Sequence, residues 1–176
     1  MAGNKYSNPS WDDFVFVGHA RTVGAAPADF VNINSTGIYG WEFTNGEELY
    51  FPCCQLSHAY KVGTELIPHI HWMPSTSATY TGTWTLEWIE HVSIAAGTAM
   101  SSKSTATLAF NSSLTAWQAQ IGNFSANLTS TNRGISSIVQ LKLSLALSAG
   151  TSCFLLGLDA HYQRDGLGSD AATSKS

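Results

Sequence analysis

"IVQLKLSLAL", residues 138–147, alternates large apolar side chains with polar or small ones. Val139, Leu141, Leu143, Leu145 and Leu147 fall on one side of an extended chain, and Gln140, Lys142 and Ser144 on the other. A helix would scatter these leucines around its circumference, so the segment reads as a half-buried strand. The neighbouring segment, "CFLLGLDAHYQ" at 153–163, follows the turn residues Ser148 to Ser152. It sets Phe154, Leu156, Leu158, Ala160 and Tyr162 against Asp159, His161 and Gln163. The two strands are expected to pair as an antiparallel hairpin. Further back, "TLEWIEHV" at 85–92 continues the pattern, with Trp84, Leu86, Trp88 and Val92 facing one way and Thr85, Glu87 and His91 the other.

The rest of the chain extends this reading. Strands are expected near residues 38–44, 48–56, 64–73, 82–92, 103–110, 117–127, 136–147 and 152–163, with turn signals such as Asn45-Gly46, Val62-Gly63 and Arg133-Gly134 between them. In "LTAWQAQIGNF", at 114–124, Leu114, Trp117 and Ile121 also fit the start of a short helix. No strand–helix alternation or phosphate loop is present, so the expected fold class is all-β. The architecture is an antiparallel β-sandwich, a jelly roll of about eight strands. Residues 1–36 lack a clear period and read as an irregular N-terminal arm, 37–165 as the sandwich domain, and 166–176 as a polar C-terminal tail.

Composition narrows the function. The 176 residues suffice for one domain with a core, and 44% are hydrophobic. Only 11% are charged, against about 25% in an average soluble protein, so the surface must be built largely from Ser, Thr, Asn and Gly. Such surfaces often lie against other subunits. With a net charge of -4 and scattered Lys and Arg, the chain has no basic stripe for nucleic acid. No apolar run is long enough to span a membrane, and no apolar leader opens the chain. Three cysteines, two of them adjacent as Cys53 and Cys54, do not read as a disulfide framework and suit a reducing compartment. The Asn-x-Ser/Thr matches at Asn34, Asn111, Asn123 and Asn127 are what a chain rich in these residues produces by chance.

The chemistry concentrates in "IPHIHW", residues 67–72. On a strand His69 and His71 share a face, with Cα atoms about 7 Å apart, close enough for both rings to reach one transition-metal ion. A third ligand is expected from His161, the alternatives being Asp159, His58, His91 or a symmetry copy. In a trimer, three such strands meeting on the axis would supply six nitrogens to one ion. The opposing reading has both imidazoles packed and hydrogen-bonded at a subunit seam, with no metal or other cofactor. Other groupings are weaker. Asp12 and Asp13, like Glu47 and Glu48, are adjacent and face opposite ways on a strand, which does not suit a paired-carboxylate site. Cys53 with His58 matches no nucleophile signature, and Trp84 and Trp88 belong to the apolar face, while Trp41, Trp72 and Trp117 are unassigned.

Two resemblances bear on these residues. Gly63 followed by His69-Ile70-His71 is similar to the opening of the cupin motif, which would imply a metal-dependent enzyme. Ser75 and Thr76 stand where that motif carries its glutamate, and no second cupin motif follows. "WDDF" at 11–14, "GEELYFPCCQLSHAYKVGTELIPHIHW" at 46–72 and "LDAHYQRDGLGS" at 158–169 together resemble a group of small virion proteins of tailed bacteriophages. That resemblance covers most of the chain through separated motifs. It implies a non-enzymatic structural role on the particle, in a protein made in the host cytoplasm. The expected function is capsid decoration or cementing, by a homo-oligomer, most simply a trimer, bound to the major capsid protein or other virion subunits. A tail or head-fibre component that binds a host glycan is the alternative within the same class.

Overall fold

The computed structural model describes residues 10–18, 26–91, 99–129 and 133–164, apart from the side chain of Cys53. The expected tail at 166–176, and Val92 of the Trp84 face, lie outside the described residues. The strands are β1 (Ser10–Val15), β2 (Asp29–Asn32), β3 (Tyr39–Phe43), β4 (Glu48–Gln55), β5 (Ile67–Pro74), β6 (Ala78–His91), β7 (Ser104–Leu114), β8 (Gln120–Asn123), β9 (Ile138–Ala149) and β10 (Cys153–Arg164). A single 3-10 turn, Ile33–Ser35, joins β2 to β3. No described helix is long and apolar enough to cross a membrane.

The pairings are nested: β6 with β7, β5 with β8, β4 with β9 and β3 with β10, all antiparallel. Lateral pairs β6–β9 and β5–β10 then distribute these hairpin layers alternately between two sheets. One sheet runs β2-β3-β10-β5-β8, with β1 also paired to β10, and the other runs β4-β9-β6-β7. This is one long hairpin rolled into a sandwich, the jelly-roll architecture expected from the sequence.

Three details differ from the sequence reading. β9 and β10 are not a hairpin, because they belong to opposite sheets. Alternation tells that a strand has an inner face but not which sheet owns it, and the turn at Gly150 (φ +98) carries the chain across the sandwich. The inner face of β10 also changes phase at a bulge between Leu155 and Gly157. Cys153 and Leu155 point inward before it and Leu158, Ala160 and Tyr162 after it, leaving the bulged Leu156 46% exposed. Finally, the stretch expected to be an irregular arm contains β1 and β2. β1 escapes notice because its outward residues include Trp11 and Val15 while Asp12 lies on the inner side, which inverts the usual polarity. The alternative short helix in 114–124 is absent, since residues 116–117 form a turn before β8.

Between the sheets lies one continuous core. Trp84 is fully buried, with Phe43 edge-on at 5.1 Å and Trp72 at 6.1 Å, and Phe110 covers Trp72 at 4.8 Å. Leu49, Phe51, Ile70, Leu86, Leu143 and Leu158 fill the layers above and below. At one end the core takes in an ion pair. Glu90 continues the inward row of Trp84, Leu86 and Trp88, and its carboxylate accepts bonds from the fully buried Arg133 guanidinium. Arg133 also donates to the carbonyls of Leu128 (2.8 Å) and Thr64 (3.3 Å), so it ties two loops to β6. Such a buried pair is costly to break from one side, by about 3–5 kcal/mol.

The outer face of the β4-β9-β6-β7 sheet is polar. Thr79, Thr81, Thr83 and Thr85 of β6 stand opposite Ser113, Asn111, Ala109 and Thr107 of β7. Beside them Lys142 bridges Glu48 (3.0 Å) and Glu87, and Lys103 also reaches Glu87. Hydrogen bonds from Lys103 and Lys142 hold the Glu87 carboxyl below its usual range. For Glu48 burial pushes upward, but the Tyr50 hydroxyl and Lys142 outweigh it, while the two carboxylates raise Lys142 against its own burial. The carboxylates therefore contribute stability above their unfolded pKa, lost as pH falls through the depressed folded values; the lysine's share is lost only as pH rises through its elevated one. Replacing Lys142 by Met is expected to cost on the order of 1 kcal/mol in urea unfolding at neutral pH, shrinking toward zero near pH 3. A cost unchanged at pH 3 would assign the effect to the lysine's aliphatic stem.

Candidate metal centre

Because Ile70 and Trp72 fill the core side of β5, strand geometry forces His69 and His71 onto the outer face of the other sheet. There β5 lies between β10 and β8, and the register aligns Val15, Asp159, His69 and Asn123 across four strands. Gly157, His71 and Ile121 align in the adjacent outward row. The β10 bulge is what places Asp159 there: without the extra residue, the positions after Leu155 would present the opposite side chains.

The side chains converge. Asp159 Oδ1 lies 2.6 Å from His69 Nε2, and Asp159 Oδ2 lies 3.9 Å from His71 Nε2. One donor atom from each of His69, His71 and Asp159 falls within 4.8 Å of the others, and no further such group of three occurs among the described residues. The site is graded toward solvent, the His69 side chain being 8% exposed, Asp159 16% and His71 34%. The close His69–Asp159 contact is not aligned as a hydrogen bond. His69 Nδ1 and Asp159 Oδ1 are both buried without hydrogen-bond partners, an arrangement that protein interiors normally avoid.

Burial dominates the electrostatics. It lowers the pKa of His69, with Asp159 opposing and His161 and His71 adding to the fall. It raises that of Asp159 despite the nearby imidazoles. Both shifts disfavour charge, and the two effects express one fact: this pocket of the sheet surface solvates neither ion well.

Of the expected ligands, His69 and His71 come together as the spacing requires. His161 lies on the same face, its ring 4.4 Å from that of His69, but its Nε2 is 3.1 Å from Asp13 of β1. Asp159, the alternative third ligand, is the residue that closes the group. His58 instead bonds Ser136 (3.0 Å), and His91 ends β6 in the opposite sheet. Asp13 escaped the sequence reading because nothing local announced that β1 pairs with β10. Asp12 turns to the other side, toward Arg164 (3.1 Å) and Tyr162, so the adjacent aspartates do diverge. Of the tryptophans without a sequence assignment, Trp72 is core, Trp41 packs at its margin, and Trp117 tilts against Phe154 from a turn. The Cys53 thiol, set aside in the sequence as a partner for His58, lies outside the described side chains; Cys54 and Cys153 are buried, and burial pushes the Cys153 thiol up to about 12.

No protein-family model matches the chain, and no curated protein does. Among solved structures the chain is similar to one described as the structure of infectious bursal disease virus Gx strain, at 11% identity and a TM-score of 0.41. The likeness covers 94% of this chain and 34% of the viral one, so this chain spans about a third of that chain's length.

Burial raises the pKa of the Asp159 carboxyl above its unfolded value, so in the metal-free fold the ionised form is disfavoured relative to the unfolded chain. In buffer containing a chelator at pH 7.5, Asp159→Asn, which removes the charge, is therefore expected to be at least as stable as the wild type in urea unfolding. A loss of more than about 2 kcal/mol would instead make the carboxylate a structural clasp between β5 and β10.

Proposed function

We propose that this chain is a non-enzymatic structural subunit of a virus particle, of the capsid-decoration or cement type, and that it works by docking the outer face of the β5–β10 sheet. The observation that carries the reading is the contrast between the two outer faces of the sandwich. One is a polar surface of Thr, Ser and Asn crossed by ion pairs. The other presents Trp11 (54% exposed), Val15 (64%), Leu156 (46%) and Ile121 (69%) around the histidine cluster. Four large apolar side chains on one flat sheet face suit burial against another subunit better than free solution.

The resemblance to small virion proteins of tailed phages supports the location, and the low charge of the chain supports an assembled state. A rotational homo-oligomer, a trimer in the simplest case, on the major capsid protein is the form proposed, because symmetry closes the interface and repetition on the shell supplies avidity. The cupin-like enzyme reading finds less support. Ser75 and Thr76 stand where the cupin motif carries its glutamate, Trp72, Trp84 and Phe110 fill the interior of the sandwich, and the histidines face outward.

The test uses empty heads of the encoding phage assembled without this protein. The purified chain is expected to co-sediment with them, and Trp11→Glu combined with Ile121→Glu to abolish binding while leaving the circular dichroism spectrum unchanged. Retention of head binding by the double variant, or binding to host glycans in place of heads, would contradict the assignment.

A further inference from the structure

We infer that His69, His71 and Asp159 form a mononuclear site for a divalent transition-metal ion of the zinc class, contained within a single chain. The donor set is two imidazole nitrogens and one carboxylate, which suits borderline ions such as zinc and leaves at least one coordination position for water or another donor. The inference is independent of the virion role, since it rests on side chains from two adjacent strands of one subunit.

The geometry is close to what chelation needs. Ligand bonds of about 2.0–2.1 Å in a tetrahedron place donor atoms roughly 3.3 Å apart. The two distances to the Asp159 oxygens, 2.6 and 3.9 Å, straddle that value. His71, about a third exposed, has room to move inward, while His69 is held by burial. The second observation is the unsatisfied pair of atoms. Asp159 Oδ1 touches His69 Nε2 without hydrogen-bond alignment, and His69 Nδ1 also lacks a partner, although the His69 side chain is only 8% exposed. At 2.6 Å Asp159 Oδ1 and His69 Nε2 are closer than donors on one ion, so coordination would draw them apart while leaving both on the same ion. Binding an ion would satisfy Asp159 Oδ1 and replace an unfavourable desolvated carboxylate by a coordinated one.

The grading of exposure decides the direction of access. His69 forms the floor of the site and His71 its rim, so the open coordination position faces away from the sandwich, beside Val15 and Ile121, which stand in register with Asp159 and His71. His161 stands beside the site, in contact with Asp13 and outside the group of converging donors.

The experiment is calorimetric titration of Zn²⁺ into full-length protein stripped with a chelator and exchanged into chelator-free buffer, with unfolding temperature and oligomeric state measured in parallel. One ion per chain is expected, with the unfolding temperature raised by roughly 3–5 °C at a tenfold excess over Kd. His71→Ala, at the exposed rim and so tolerant of truncation, and Asp159→Asn are each expected to weaken binding at least tenfold with the fold intact. His161→Ala is expected to bind as the wild type does. The proposal is overturned by absence of saturable binding to the folded stripped protein, or by one ion per three chains, which would place the ion on an oligomer axis. It is equally overturned if His161→Ala abolishes binding while Asp159→Asn preserves it.

Discussion

Everything on the histidine-bearing face follows from what occupies the other side of β5. Ile70 and Trp72 are committed to the core, Trp72 by its contacts with Trp84 and Phe110, and a strand that sends these residues inward must send His69 and His71 outward. A slip of one residue would bury two imidazoles and expose a tryptophan and an isoleucine, at a cost of several kcal/mol. The tryptophan cluster is therefore also the register lock of the histidine pair. Tight packing against the inner face fixes the backbone that carries the pair, while the half-buried His71 side chain keeps room to adjust.

The second determinant is topological. Nesting β5 with β8 and β3 with β10, then joining β5 to β10, brings Asp159 beside His69 although they are far apart in sequence. The β10 bulge completes this by resetting the phase of the strand, so that Leu155 and Leu158 both face inward while Asp159 faces out. One inserted residue thus serves the core and the site together. On the opposite side of the sandwich the same alternation yields threonines and ion pairs, so a single fold presents one surface suited to water and one suited to contact.

Much of this was legible in the sequence, and the failures are instructive. Period two in 138–147 and 85–91 gave the strands and their inner faces, since hydrophobic burial is a local signal with a fixed spacing. Sheet membership was not legible: β9 and β10 read as a hairpin because a short turn between two amphipathic strands has the same composition whether it stays in one sheet or crosses to the other. β1 was hidden by its apolar outer residues, Trp11 and Val15, which stand where a strand usually carries polar ones. His69 and His71 announced themselves by spacing. Asp159 did not stand out from His161, because the two share one face of β10 and only the register with β5 and the pairing of Asp13 with His161 separate them. Glu90 and Arg133 were missed because a charged residue within an apolar row gives no sign of its buried partner, which is distant in the chain.

The most direct test of this account is a crystal structure of the protein grown with Zn²⁺, with anomalous data collected on both sides of the zinc absorption edge. The account predicts one peak per chain on the outer face of the β5–β10 sheet, within bonding distance of His69, His71 and Asp159 and open to solvent on its far side. A peak held by His161 and Asp13, a peak on a symmetry axis between copies of His69 and His71, or no peak in a well-occupied soak would contradict it.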